Sequence, residues 1–321
     1  MRSLVRAAML VALFAFAATT VAAQTSRYPN RTIEVVVAYG PGGSTDLVAR
    51  ALAEKFRERL GQSAVVLNKP GGSGTIGAMA AARAAPDGYT LYEGYTSETV
   101  IVPQLMKNAK YSIDDFEPIA VTGLVPLVLV TSKSMRASNL HELIAELAAA
   151  PGKHTFGGGI ASPPHIIGAW FNRLNKVDVT HVPYRGGGQG IADVVAGHID
   201  MFYGGLAAAK PAIDSGAVKA LAITGDERSS ALPNVPTFKE AGMADFDLAS
   251  WNVLLAPKGT PADVLALLRQ ETAQALADPK VRELYAAQGI EAGPTQDVKG
   301  FLTKQRDDFG RVVRDLGITM E

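Results

Sequence analysis

Runs of β-branched residues that pass through glycines into an apolar pattern of helical spacing recur along this chain, and that alternation constrains the fold more than any other feature. The first instance is the sharpest. Ile33–Val37 reads as a buried strand, Leu47, Val48, Ala51, Leu52, Phe56 and Leu60 recur at helical spacing, and Gly61 stands where a helix C′ residue belongs. Between them lies Ala38-Tyr39-Gly40-Pro41-Gly42-Gly43-Ser44-Thr45-Asp46. The first N–H groups of such a helix have no intrahelical acceptor and sit at the positive end of its dipole, so glycines there would let an anion approach them closely. An ordinary strand-to-helix turn uses the same residues, and this stretch alone leaves both readings open.

Downstream, strands are expected over 64–67 and 89–93, with an alanine-rich helix over 75–84 behind a second glycine loop, 68–74, and a helical stretch near 99–105. Residues 118–130 give two apolar β-like segments interrupted by Gly123 and Pro126, a place for the chain to cross between domains. The same logic then repeats: helix 140–150, strand 154–156, glycine loop 157–159, helix 163–174, strand 177–182, loop 183–188, helix 189–196, strand 200–203, helix 207–215 and strand 218–224. A strand over 250–256, containing Trp251, precedes helices over 261–277, 279–288 and 298–316. The pattern predicts parallel-rich α/β sheets with helices on both faces, in two domains made of residues 24–124 with 250–321 and of residues 125–249. Two connections lying in one plane would permit hinge closure over a ligand.

Arg2 and Arg6, an apolar run over 7–18, and Val21-Ala22-Ala23 before Gln24 read as a secretory signal peptide spanning 1–23, cleaved near Ala23. The run is too short for an anchor, and no later stretch approaches the roughly 20 apolar residues a span needs. A soluble protein in the periplasm is expected. No cysteine stands at the cleavage point and no twin arginine precedes it, so neither a lipid anchor nor a cofactor loaded before export is expected. The chain has no cysteine at all, which excludes thiolate metal sites and cysteine nucleophiles. Its 31 basic and 31 acidic residues give no electrostatic case for nucleic acid or an anionic membrane surface.

Ligands of open α/β sheets bind at the carboxyl ends of strands, so the glycine loops there are the places to look for chemistry. Gly72-x-Gly74-x-x-Gly77 matches a dinucleotide fingerprint, but the Asn68-Lys69-Pro70-Gly71 insert lengthens a turn that should be tight. The nucleophile elbow of serine hydrolases fails at Ser44, followed two residues later by Asp46, and at Ser73, followed by Thr75. His141, His154, His165, His181 and His198 show no metal-type pairing. No cofactor, metal or catalytic residue is therefore assigned, an exported hydrolase or cofactor-binding enzyme on the same loops being the alternative. Gly157-Gly158-Gly159-Ile160-Ala161-Ser162-Pro163-Pro164-His165 is more informative, with Ser162 as N-cap and Pro163 opening the helix. Proline lacks an N–H, so an anion there must use the Ala161 and Ser162 amides, the Ser162 hydroxyl or His165. In the fourth loop, Arg185 could pair a carboxylate bidentately, or make a surface ion pair.

Several motifs taken in order carry a resemblance: Tyr28-Pro29, Pro41-Gly42-Gly43-Ser44-Thr45-Asp46, Asn68-Lys69-Pro70-Gly71, Pro86-Asp87-Gly88-Tyr89-Thr90, Ser162-x-x-His165 and His181-Val182-Pro183-Tyr184-Arg185-Gly186-Gly187. Leu232-Pro233-Asn234-Val235-Pro236-Thr237, Glu240-Ala241-Gly242 and Trp251 before Leu254-Leu255-Ala256-Pro257 continue it. From Tyr28 onward the chain resembles the Bug-type receptors, the extracytoplasmic solute-binding proteins of tripartite tricarboxylate transporters. The resemblance implies a type II periplasmic-binding-protein fold: two α/β domains joined by two crossing strands, closing on a small organic carboxylate like a Venus flytrap. It also implies membrane transporter components as partners, a monomeric receptor and no catalysis. By position it nominates Gly43, Ser44, Thr45 and Asp46 in one jaw, Ala161, Ser162 and His165 in the other, Thr96 and Ser97 on the cleft wall, and Tyr39 beside the first loop. Two departures bear on the ligand. Tyr39-Gly40 stands where the family more often has an apolar residue, and Pro163-Pro164 thins the amides of the second loop. Asp46 suits a helix N-terminus but would repel an anion, unless it orients the loop or meets a ligand ammonium group.

Overall fold

The computed structural model describes residues 28–106, 109–184, 187–244, 246, 248 and 250–319. In chain order the strands are β1 (Ile33–Val37), β2 (Ala64–Asn68), β3 (Thr90–Tyr95), β4 (Phe116–Leu124), β5 (Leu127–Thr131), β6 (His154–Gly158), β7 (Val179–Pro183), β8 (Met201–Gly205), β9 (Lys219–Ile223) and β10 (Trp251–Pro257). The helices are α1 (Ser44–Leu60), α2 (Thr75–Ala82), α3 (Val102–Leu105), α4 (Leu140–Ala149), α5 (Pro163–Asn175), α6 (Gly187–Ala196), α7 (Leu206–Asp214), α8 (Ala262–Ala277), α9 (Pro279–Ala287) and α10 (Val298–Leu316), with a π-helical turn, Ser97–Ile101, leading into α3. The signal peptide expected over 1–23 lies outside the described residues.

The strands form two five-stranded sheets, ordered β2-β1-β3-β10-β4 and β7-β6-β8-β5-β9. Both are mixed rather than purely parallel. In each, one strand runs against its neighbours: β10 is antiparallel to β3 and β4, and β5 is antiparallel to β8 and β9. Those two are the strands the sheets exchange. β5 follows β4 after only Val125 and Pro126 yet pairs in the other sheet, and β10 follows β9 in the chain yet pairs in the first. Asn252, near the start of β10, pairs with Tyr95 at the end of β3, and Leu127 at the start of β5 pairs with Gly205 at the end of β8. A strand arriving from the other sheet enters at the carboxyl edge and so must run backwards. The pattern of apolar residues reports burial but not direction, which is why the reversal is invisible in the sequence.

The two crossings are stitched to each other. Val125 N–H donates to Ser250 O at 2.7 Å, Thr224 N–H donates to Leu127 O at 2.9 Å, and Leu127 N–H donates to the Thr224 hydroxyl at 2.9 Å. Each exchanged strand also carries a register shift, between Asn252 and Val253 and between Leu129 and Val130, of the kind that bends a strand. Trp251, fully buried at the head of β10, donates from Nε1 to Gln305 of α10 at 2.9 Å and so fixes the returning strand to the last helix.

Two glycines let helices sit close to the strands that lead to the cleft. A Cβ on Gly77 would lie 2.7 Å from Ala38 Cα, so the third glycine of the apparent dinucleotide fingerprint has a packing role against the end of β1. A Cβ on Gly190 would lie 2.1 Å from Phe202 Cε2, which holds α6 hard against β8. Alanine favours a helix over glycine by about 1 kcal/mol, whereas overpacking costs about 1–3 kcal/mol. Gly190→Ala is therefore expected to lower the urea midpoint with an unchanged m-value; a raised midpoint would show that Phe202 moves aside freely.

Candidate functional site

Between the carboxyl ends of the two sheets lies a cavity of about 590 Å³. Its wall combines Gly42, Gly43, Ser44 and Leu47 after β1 and Tyr95 of β3 with Gly159, Ser162 and Pro164 after β6, Tyr184, Gly187 and Gly188 after β7, and Gly205 to Ala208 after β8. Val125 and Leu127 of the first crossing, Gln288, and Ile290 complete it beside Phe202, Tyr203 and Leu206. Among the described residues, no charged side chain lines this space. Four helices begin at its wall: α1, α5, α6 and α7.

The N-termini of α1, α5 and α7 have no side-chain cap; their N-cap residues are Gly43, Ser162 and Gly205. By contrast α4, α9 and α10 are capped by the side chains of Asn139, Asp278 and Asp297. A missing cap is not diagnostic by itself, since α2 and α8 also lack one. What distinguishes the cavity is convergence. Several partial positive charges, each worth roughly half an elementary charge, point into one space. Such an arrangement favours an anion without a described cationic side chain in the wall.

In the first jaw, Gly43 and Ser44 reach the wall, whereas Thr45 and Asp46 turn inward. The Thr45 hydroxyl donates to Asn252 Oδ1 at 2.9 Å, tying α1 to the exchanged strand β10. Asp46 accepts from Gly42 N–H at 3.0 Å, from Asn68 Nδ2 at 2.9 Å and from Arg50 at 2.9 and 3.0 Å. Burial works against its charge, but the bonds from Arg50, Asn68 and Gly42 outweigh it and hold the carboxyl below its usual range. Asp46 thus orients the loop, with its charge offset by Arg50. Tyr39 is half-buried; its hydroxyl donates to Glu98. Thr96 is buried, accepting from Trp251 N–H at 2.8 Å and donating to Trp251 O at 3.0 Å, and Ser97 is buried in the π-helical turn.

The second jaw is built differently. Ser162 reaches the wall at the N-cap position, but its hydroxyl donates to Gly159 O at 2.6 Å and its N–H to the same oxygen at 3.2 Å. Pro164 removes one of the two N–H groups a capping hydroxyl can accept from, and the hydroxyl turns to the Gly159 carbonyl rather than to the remaining His165 N–H. Ala161, in the left-handed region at φ 54°, donates from its N–H to His165 Nδ1 at 3.4 Å. His165 stacks on His181 with ring centroids 4.0 Å apart, and burial followed by the neighbouring His181 pushes its pKa down to about 4. It is a neutral acceptor within its own loop rather than a cation at neutral pH. Arg185 lies outside the described residues.

The α7 terminus had a readable signal that the sequence analysis passed over. Gly204-Gly205 end β8 and lead straight into a helix, much as the glycines after β1 lead into α1. Tyr95, Tyr203 and Gln288 carried no local motif, and Tyr184 stood in a motif without being read as a site residue; all four enter the wall through tertiary packing.

The depressed His165 pKa sets a pH dependence. Between about 4, its folded value, and 6.5, its ordinary value, the unfolded chain binds more protons, so this residue's contribution to stability is lost as pH falls through that window. Thermal melts from pH 7 to pH 4 are expected to show a smaller acid-induced drop in Tm for His165→Gln than for the wild type. Equal drops would mean that His165 titrates normally in the fold.

Comparison with known proteins agrees with this architecture. Residues 48–318 match the family described as "Tripartite tricarboxylate transporter family receptor". Protein BugT of Bordetella pertussis is 36% identical over 300 residues, 92% of each chain. Among solved structures, periplasmic binding protein BugD superposes with TM-score 0.78 at 31% identity, covering 92% of this chain and 100% of that one. An adipate-bound R. palustris protein gives TM-score 0.80 at 30% identity, covering 91% and 99% of the two chains. MatC from Rhodopseudomonas palustris, with bound malate, gives 0.78 at 31%, covering 89% and 100%. With its exchanged strands and the cavity between its two sheets, the chain is a solute-binding receptor of periplasmic-binding-protein fold and belongs to the tripartite tricarboxylate transporter receptor family.

Proposed function

We propose that this receptor captures a small organic carboxylate in the cavity between its two sheets and delivers it to the membrane components of a tripartite tricarboxylate transporter. The observation that carries the reading is the convergence of uncapped helix N-termini on a space with no described charged side chain. Such a site suits an anion and supplies no described nucleophile–base pair, which supports binding without catalysis. Adipate and malate in the related structures make dicarboxylates the first ligands to test. Residues 24–124 with 250–321 would form one lobe and 125–249 the other, and Gly43 and Ser44 would face Ser162 across the ligand, with Arg185 a further candidate contact. A ligand touching both lobes at once favours the closed arrangement, since contact with one lobe alone shifts nothing. The leader-like N-terminus and the family's periplasmic members support a receptor working in the periplasm.

Gly43→Asp is the decisive variant. Gly43 has ordinary N-cap geometry, φ −81° and ψ 171°, and a Cβ there meets nothing within 4 Å, so an aspartate fits and can cap α1 itself. Glycine and aspartate differ at N-caps by only a few tenths of a kcal/mol, so stability should be unchanged or slightly raised. Meanwhile the introduced carboxylate occupies the amides and repels the ligand, and affinity for adipate or malate should fall by about tenfold or more, a loss of about 1.4 kcal/mol. Calorimetric titration of the variant reads this directly. Undiminished binding would remove the α1 terminus from the site.

A further inference from the structure

Beneath the first jaw lies a buried acid that the carboxylate clamp does not use. Glu98, in the π-helical turn and wholly inaccessible, accepts hydrogen bonds from the Tyr39 hydroxyl, the Tyr92 hydroxyl at 2.9 Å and the Tyr95 N–H. Tyr95 is itself a wall residue, and its ring meets Tyr39 edge-on at 6.2 Å. Among the described residues no cationic side chain contacts Glu98; its partners are hydroxyls and one amide. A carboxylate so placed is separated from the cavity by one wall residue, and an anion bound there adds a second negative charge nearby.

We propose that the receptor takes up its carboxylate together with a proton, and that the proton is received by Glu98. The inference rests on the carboxylate reading above. The bound anion disfavours a second negative charge in low-dielectric surroundings, so an O–H bond forms on Glu98 with a proton drawn from solvent, and that proton leaves when the ligand leaves. No other reactant is needed. Burial already pushes Glu98 up to about 7, against the bonds from Tyr39, Tyr95 and Tyr92, so a modest further push moves the group across neutrality.

Other titratable groups stand nearby. From β3 come Tyr92, Tyr95 and Glu93, the last pushed up to about 8 by burial and, further, by Glu98, against a bond donated by Thr122. Tyr39 and Tyr111 are held protonated, the Tyr111 hydroxyl donating to Glu98 O at 2.7 Å. The 3-10 turn Gly72–Gly74, α2 and α3 carry no titratable residue. From α10, Arg306 pairs with Asp307 and Asp114 at the surface, and Arg314 lies beside Gly310.

Calorimetric titrations with adipate, malate and benzoate, run at pH 7 in phosphate, imidazole and Tris, test the proposal. The apparent heat should depend on the buffer's ionisation enthalpy, with uptake of a substantial fraction of a proton. After correction for ligand ionisation, affinity should weaken several-fold, up to about tenfold, from pH 6 to pH 8, since a group already half-protonated near pH 7 can change log K by about one unit at most over that range. Glu98→Gln should bind with no buffer dependence near neutrality. Tyr39→Phe, which removes a donor that favours the charged form, should move the affinity midpoint to higher pH. Buffer-independent heats in the wild type would overturn the proposal, as would uptake that persists in Glu98→Gln and vanishes in Glu93→Gln. Absence of binding by every probe at every pH would instead remove the carboxylate reading, and this inference with it.

Discussion

The exchange of one strand between the sheets is the constraint on which the rest of the molecule depends. Because β5 and β10 enter at the carboxyl edges of sheets they did not start in, the carboxyl ends of both sheets are brought to one place. That is where open α/β sheets keep the amino termini of their helices. The helix dipoles of two separate sheets therefore converge because of the topology, and the backbone ladder between Val125 and Ser250 and between Leu127 and Thr224 keeps the crossings adjacent. Beside the crossings, one continuous hydrophobic core packs residues of both sheets together, Tyr92 and Trp251 from the first with Phe156 from the second and Phe171 from its helix α5.

The polar side chains around the cavity divide into those that face it and those that build it. Asp46, Thr45 and Thr96 spend their hydrogen bonds on Gly42, Asn252 and Trp251, so the amides of the first jaw are set in place by groups that do not line the cavity. The division has a physical reason. An anion is best received by donors fixed in advance, and a backbone held by buried side chains loses little freedom when the ligand arrives. Glu98 belongs to the same supporting layer, and is the place where that layer carries a charge that can be removed.

Local patterning made most of the elements readable. The apolar run Ile33–Val37, the helical spacing that begins at Leu47 and the stop at Gly61, at φ 69°, are properties of neighbouring residues and appear in the fold where they were expected. Gly157 and Gly158, read as loop, are the last residues of β6, because a glycine signals a turn only when no neighbouring strand is present to pair with it. Ser162 stands at an N-cap as its residue type suggested, but which atom its hydroxyl meets depended on Pro164 and on the carbonyl of Gly159. His165 looked like a donor for an anion; burial, and then the His181 ring stacked on it, leave it neutral.

By itself the sequence determined the alternation of strand, glycine and helix, and with it the class of the fold and the positions of the helix ends that could receive an anion, since these follow from spacing within ten or twenty residues. It also carried the ordered motifs by which the family is known. Only the tertiary structure decided which helix ends share one cavity, that Tyr95, Tyr184 and Gln288 stand in its wall, and that Asp46 is satisfied internally while Glu98 is buried without a described counter-cation. Those outcomes rest on contacts between residues far apart in the chain and on the burial they produce. Burial decides charge, and no local pattern of residues encodes it.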